Sequence, residues 1–294
     1  MVYNELGKTG IRISSIGYGA GHIGSDGMDE KTVENLLHYI IDKGINFIDT
    51  ARGYGLSEER IGTFLSVKRR KDVVLCTKVG YGIEGVEDWT YDCIIKGVER
   101  ALSVMKTDYL DIVLLHTCPQ WILEKFDVVK ALDDMKRKGL IKAIGYSGDN
   151  EDLEFALNIN EFDCYEGSFN IFDQKKSAWV LDKIQSDNKG FIAKRPVANA
   201  PWRFNETPHG NYCEEYWHRM KKMNVDFKSV DPAEVALRFT CFTKGITSAI
   251  IGTTNTKHID DNISFLEKGQ LDTSLYFALK KAFFNNSQIW RSEV

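Results

Sequence analysis

Residues 73–115 read VVLCTKVGYGIEGVEDWTYDCIIKGVERALSVMKTDYLDIVLL. An apolar run (Val73 to Lys78) leads into a turn-rich stretch, then a segment with apolar residues three and four apart, then a second apolar run (Tyr109 to Leu115). That succession is the pattern of a β-α-β unit in a parallel sheet. Neither run alternates with polar residues, as expected of strands covered on both faces. The same succession continues in both directions. Upstream stand Ser15 to Gly19 and Ile45 to Asp49; downstream stand Lys142 to Tyr146, Asp163 to Ser168, Gly190 to Lys194 and Thr247 to Ile251. Eight such runs, with helical patterns such as DEKTVENLLHYIIDKG between them, predict an α/β fold, the (β/α)8 TIM barrel. A doubly wound sheet usually has fewer strands and one switch point.

Ahead of the first run, YNELGKTGIRIS holds two short β segments around Gly-Lys-Thr-Gly and predicts an N-terminal β-hairpin plugging one barrel end. Residues Asn199 to Val230, with Trp202, Pro208 and Trp217, predict a loop and an extra helix between the seventh and eighth strands. No linker or low-complexity tract interrupts the chain, so one barrel domain over residues 1–294 is expected.

A composition of 43% hydrophobic and 27% charged residues suits a chain that buries a full core without disulfides or a structural metal. The net charge of -4 provides no field to hold a polyanion. The basic run Lys68 to Lys71 is followed at once by an apolar strand and is expected to be a solvated helix end, so nucleic acid is not an expected partner. No stretch approaches the ~20 apolar residues of a membrane span, and the start lacks a signal-peptide pattern, so a cytoplasmic protein with no membrane partner is expected. The cysteines (Cys76, Cys93, Cys118, Cys164, Cys213, Cys241) lack Cys-x-x-Cys spacing and a histidine at ligand spacing. They are expected to be reduced packing residues, with no metal site.

Reactive groups of such a barrel sit at the C-terminal ends of strands and in the loops that follow. NFIDTARGYG puts Asp49 on that rim and Tyr54 just beyond it; the third run brings Lys78 and the fourth His116. A lysine drawn into a barrel mouth loses hydration unless an acid such as Asp49 pairs with it. Its ammonium stabilises a nearby phenolate, so Lys78 is expected to lower Tyr54 from its ordinary value near ~10 and make it a better proton donor to a carbonyl oxygen. His116 can orient that oxygen. Taken singly, these are a helix cap, a solvated strand end and a satisfied core histidine. Their coincidence at the ends of three successive strands favours a site.

Together FIDTARGYG, CTKVG and LLHT resemble the Asp, Tyr, Lys, His tetrad of the aldo-keto reductase superfamily, and the resemblance runs from GKTGIRISSIGYGAG to IIGTTNTKHIDDN. It implies Tyr54 as general acid, Lys78 and Asp49 as its tuning pair and His116 as the substrate-orienting group. It also implies a nicotinamide cofactor held in the barrel mouth, NADP(H) favoured and NAD(H) the alternative. On that likeness Gly19, Ala20 and Asp49 lie near the nicotinamide, and Ser147 and Glu166 hold its carboxamide. Gly148 stands where the family has Asn, and Glu166 where it commonly has Gln; an acid accepts an amide N–H but cannot donate. Arg195 takes the place of a stacking aromatic, and Pro196, Val197, Ala198 and Asn199 follow the phosphates. Gly252, Thr253 and Thr254 open a helix whose N-terminus suits a phosphate, with Asp261 and Asn262 toward the adenine. Strongly NADPH-selective relatives carry Lys and Arg at Gly252 and His258; here Thr253, Thr254, Lys257 and His258 are left to meet a 2'-phosphate.

The spacing of Gly19, Gly21 and Gly24 imitates a GxGxxG dinucleotide fingerprint, but SDGMD follows where that motif needs an immediate helix. His22, Tyr81, Trp89, Trp121 and Trp202, with His116, are the candidate substrate lining, suited to a sugar, an aromatic aldehyde or a small ketone as the small-molecule partner. Three other readings stay open: a sugar or polyol dehydrogenase, a cofactor-binding regulatory subunit, and a carboxylate-based hydrolase or lyase. The last leaves Tyr54 and Lys78 without a task. Monomer and homo-oligomer are both open.

Overall fold

The computed structural model describes residues 1–65, 69–177 and 179–293, which leaves Lys68 of the basic run outside the described residues. Strands β1 (Tyr3–Glu5) and β2 (Arg12–Ser14) form an antiparallel hairpin with Tyr3 opposite Ser14. The parallel strands are β3 (Ile16–Gly19), β4 (Phe47–Asp49), β5 (Val74–Val79), β6 (Leu110–His116), β7 (Ile141–Ser147), β8 (Cys164–Ser168), β9 (Gly190–Lys194) and β10 (Ser248–Ile251). They close into a barrel in chain order, with β10 pairing β3. Each falls on one of the apolar runs of the sequence.

The outer layer is α1 (Glu30–Asp42), α2 (Ser57–Phe64), α3 (Tyr91–Val104), α4 (Gln120–Leu123), α5 (Asp127–Arg137), α6 (Asn150–Ala156), α7 (Val180–Ser186), α8 (Glu214–Met223), α9 (Pro232–Cys241), α10 (Thr256–Glu267) and α11 (Thr273–Asn286). Helix α8 is the extra helix expected between the last two strands. Local chemistry sets several starts: the side chains of Asp29, Thr90, Asp231 and Asn255 accept backbone N–H groups at the heads of α1, α3, α9 and α10. Among the described residues, no helix is long and apolar enough to cross a membrane.

The interior of the barrel is filled by Phe47, Cys76, Ile112, Leu114, Ala143, Cys164 and Ile192, and this cluster is continuous with Leu6, Ile11 and Ile13 of the hairpin. The hairpin is therefore a plug at the N-terminal end of the strands, opposite the rim that carries the polar groups. A second, larger cluster lies between strands and helices. One sequence expectation is corrected here. Arg70 is buried rather than solvated, held 2.8 Å from Asp111 and donating to the carbonyls of Val73 and Tyr109. A guanidinium leaves water only where a carboxylate and carbonyls replace the lost solvent, and β5 and β6 supply them.

Candidate active site

The two-residue period of a strand brings the polar groups together. Phe47, Cys76, Leu114, Cys164 and Ile192 point into the barrel, so Asp49, Lys78, His116, Glu166 and Lys194, each two residues further on, face the same way one layer higher. Register sets His116 opposite Ser147 and Ser147 opposite Glu166, while Asp49 lies opposite Cys76, two residues before Lys78, so the layer steps at β4 and β5.

Lys78 is buried with its Nζ 2.6 Å from both Asp49 oxygens, 3.1 Å from the Thr50 carbonyl and 3.5 Å from Glu166 Oε1. Against the cost of burial, the two carboxylates hold its ammonium well above the ordinary lysine range. Tyr54 stands on the turn after β4, its ring centroid 5.4 Å from Lys78 Nζ. His116 meets that ring edge-on at 6.0 Å, and its Nδ1 lies 2.8 Å from Tyr81 Oη. Burial, then the charge of Lys78, pushes His116 down to about 3, so the imidazole is neutral.

The expectation that Lys78 lowers Tyr54 is corrected. Lys78 does pull the phenol down, but burial and the charges of Asp49 and Glu166 outweigh it and push Tyr54 up to about 12. The pull of Lys78 is the largest single influence, but burial of the ring opposes it first and the two carboxylates flanking the ammonium then tip the balance upward. Asp49, Cys76 and Glu166 bring ligand-type atoms within 4.8 Å of one another, and the cation lying against both carboxylates is Lys78 itself.

On the opposite wall, Ser147 Oγ donates to Glu166 Oε1 at 2.9 Å, while Glu166 Oε2 is buried without a partner. Gly148 is sterically required, because a Cβ there would sit 2.5 Å from Tyr146 Oη, itself bonded to the Cys118 carbonyl. After β9 the chain takes left-handed φ at Arg195, Ala198, Asn199 and Ala200 (56°, 49°, 57° and 54°), a strained run of the kind found at ligand sites. Its turns are tied by Ala198 N to Arg195 O and by the Pro196 carbonyl, which accepts from Thr240 Oγ1; Val197 is half-buried and Ala198 buried. Arg195 lies over the Tyr212 ring at 4.9 Å and donates to Tyr212 Oη, to Ser168 Oγ and to the carbonyl of Glu293. Asn199 Nδ2 donates to the Tyr212 carbonyl.

At the last strand, Gly19 and Gly252 abut, and a Cβ on Gly252 would meet His22 Cδ2 at 2.9 Å and the Gly19 carbonyl at 3.2 Å. His22, named as substrate lining, thus sits over the β10 loop. Ala20 N donates to the Asp49 carbonyl. Thr253 is buried, its Oγ1 3.1 Å from His258 Nδ1, whereas Thr254 and His258 are exposed at the head of α10; Lys257 pairs with Asp261, and Asn262 is half-buried behind them. Of the remaining aromatics, Tyr81 and Trp89 pack together at 5.8 Å beside His116, Trp202 packs on Phe227, and Trp121 is exposed under Lys125. Described contacts therefore join Tyr81 and Trp89 to the tetrad, and none joins Trp121 or Trp202 to it.

Other groups at the mouth went unnoticed in the sequence. Arg52, two residues before Tyr54, donates to the Gly82 carbonyl and keeps a buried, unpartnered Nε. Asp149 binds Lys176 at 2.6 Å and Lys194 at 2.9 Å. The segment 291–293 folds back over the ends of β7 to β9: Ser292 exchanges two bonds with Asn150, and Ser168 and Arg195 both donate to the Glu293 carbonyl. Proximity to the quoted motifs could have flagged Arg52 and Asp149, but no sequence signal marks the returning tail.

A family model described as "Aldo/keto reductase family" matches residues 15–282. The chain belongs to that family. It is similar to the uncharacterized oxidoreductase YqkF of Bacillus subtilis (26% identical, covering 88% of this chain and 89% of that protein). It is also similar to the L-galactose dehydrogenase of Arabidopsis thaliana (24% identical, 88% and 86% covered). Among solved structures, a putative aldo-keto reductase from Pseudomonas aeruginosa superposes with a TM-score of 0.74 at 29% identity, over 90% of this chain and 94% of that one. The chain is thus an oxidoreductase of the aldo-keto reductase type, a family that uses nicotinamide cofactors.

Proposed function

We propose that this aldo-keto reductase reduces an aldehyde or ketone to an alcohol with a nicotinamide cofactor, Tyr54 giving the proton. The observation that carries the reading is the buried Asp49–Lys78 pair lying 5.4 Å from the Tyr54 ring with a neutral His116 on its other side. The mouth suits such a cofactor on three counts: an orphaned acceptor at Glu166 Oε2, a left-handed loop over 195–200, and a helix head at α10 approached through Gly252. When bound, the nicotinamide supplies the hydride. Ser147 and Glu166 would hold its carboxamide; residues 195–199 and 252–254 would hold the phosphates, with Asp261 and Asn262 toward the adenine.

In this reading the residues divide the proton work. A phenol held up to about 12 stays protonated across the physiological range, which is the form reduction needs, and it remains more acidic than an ordinary alcohol. The neutral imidazole of His116, fixed through Nδ1 by Tyr81, offers Nε2 to the carbonyl oxygen without competing as an acid. NADPH is the favoured carrier and NADH the alternative, because Thr254, Lys257 and His258 stand at the exposed head of α10. Kinship with an L-galactose dehydrogenase supports testing aldoses first and makes the oxidative direction the second reading.

The test is a screen of aldoses, ketones and simple aldehydes with both carriers, on wild type and Tyr54→Phe. Turnover should drop by about 10²-fold or more in the variant, the usual worth of general-acid help, with cofactor affinity nearly unchanged. Retention of most of the turnover would overturn the assignment of Tyr54.

A further inference from the structure

Rim carboxylates in this barrel outnumber what one lysine can neutralise. Asp49 and Glu166 are each about 1% exposed, both lie against the single ammonium of Lys78, and their carboxylate oxygens come within 4.8 Å of each other. With both ionised, the trio would carry one net negative charge inside the barrel, where like charges repel strongly. The neighbours give only partial relief. Lys194, the next ammonium, draws Glu166 down but lies 2.9 Å from Asp149, which also holds Lys176; Cys76 is held as a neutral thiol by burial; His116 is neutral; Ser147 contributes a hydroxyl to Glu166 Oε1. Glu166 Oε2 has no partner of its own.

We propose that Glu166 is a positioning residue that governs how readily Tyr54 gives up its proton, by forming with Asp49 a buried carboxyl–carboxylate pair that holds one proton beside Lys78. The proposal rests on the reading of Tyr54 as the proton donor. Burial and then the charge of Glu166 push Asp49 up to about 8, while Lys78 and Lys194, working against burial, keep Glu166 below its ordinary value. The shorter contacts to Lys78 favour ionised Asp49, so the proton belongs to the pair and not to one oxygen. Near pH 8 the pair loses that proton and the trio turns negative before Tyr54 can ionise, which adds to burial in holding the phenol high. Removing the Glu166 charge leaves one carboxylate against one ammonium and frees the field of Lys78 to act on Tyr54.

The test is a phenolate absorbance titration of wild type, Glu166→Gln and Glu166→Asp, each subtracted from its Tyr54→Phe counterpart to isolate this tyrosine from the 12 in the chain. No cofactor or substrate is needed. Tyr54 should ionise at least one pH unit lower in Glu166→Gln, a tenfold gain in phenolate at pH 9, and Glu166→Asp should restore the wild-type curve. The kcat/KM for alcohol oxidation should shift in parallel. Should Glu166→Gln fold poorly, infrared difference spectra of wild type supply the second measurement: one protonated-carboxyl band should vanish as pH is raised through 8. An unmoved Tyr54 curve in folded Glu166→Gln, or no such band in wild type, would overturn the proposal. Full turnover in Tyr54→Phe would overturn the donor reading alone and leave the titration standing.

Discussion

His116 carries an electrostatic cost set by its place in the barrel mouth. Its ordinary value is ~6.5, yet in the fold it accepts a proton only at about 3, because the barrel mouth is desolvated and Lys78 is close by. The unfolded chain therefore binds this proton more tightly than the native one. The stability that neutral His116 allows is complete above pH ~6.5 and is lost as pH falls from there toward 3. At pH 5 the loss amounts to about 2 kcal/mol. Chemical denaturation at pH 7 and pH 5, for wild type and His116→Phe, should show the variant relieved of most of that acid loss; equal losses in both proteins would remove His116 as its source. At this scale the sequence was informative about identity and not about sign. Asp49, Tyr54, Lys78 and His116 were visible as rim residues, but the balance on Tyr54 depended on its burial and on how close Asp49 and Glu166 lie to Lys78, which only folding reveals.

Elements were more legible than their loops. All eight barrel strands sit on apolar runs, since parallel strands covered on both faces leave a continuous hydrophobic record. The Gly19, Gly21, Gly24 stretch ends in a 3-10 turn at His22–Gly24, and α1 starts only at Glu30. Arg60 of α2 fixes that loop, donating to the carbonyls of Ile23, Ser25 and Met28 and pairing with Glu30. Such cross-element ties, like those of Arg195 to Tyr212 and the tail, leave no periodic trace. The loop after β7 yields a prediction of its own. With a Cβ at position 148 forced to within 2.5 Å of Tyr146 Oη, Gly148→Ala should cost about 1 to 3 kcal/mol by overpacking. Urea unfolding measures it, and adding Tyr146→Leu, which removes both the oxygen and the ring carbons 2.6 and 2.7 Å from that Cβ, should make the second change cost less than it does in wild type.

Across the whole molecule, the two ends of the barrel are treated differently. One is sealed by apolar packing of Leu6, Ile11 and Ile13; the other is lined by ion pairs and covered by residues 291–293. Leu6→Ala should therefore destabilise by about 2 to 5 kcal/mol, the range for emptying a buried leucine site, with KM and kcat of the folded enzyme unchanged. A large change in kcat without loss of stability would show that plug and mouth are coupled.

The plug also imposes an order in time. Leu6 belongs to a cluster with Cys164 of β8 and Ile192 of β9, and the barrel closes only when β10 reaches β3. During synthesis at ~5 to 20 residues per second, the hairpin waits roughly 10 to 40 s for those walls to leave the ribosome. Through that interval Leu6, Ile11 and Ile13 lack their final neighbours, and the nascent chain exposes apolar side chains that are buried only once β8 and β9 arrive.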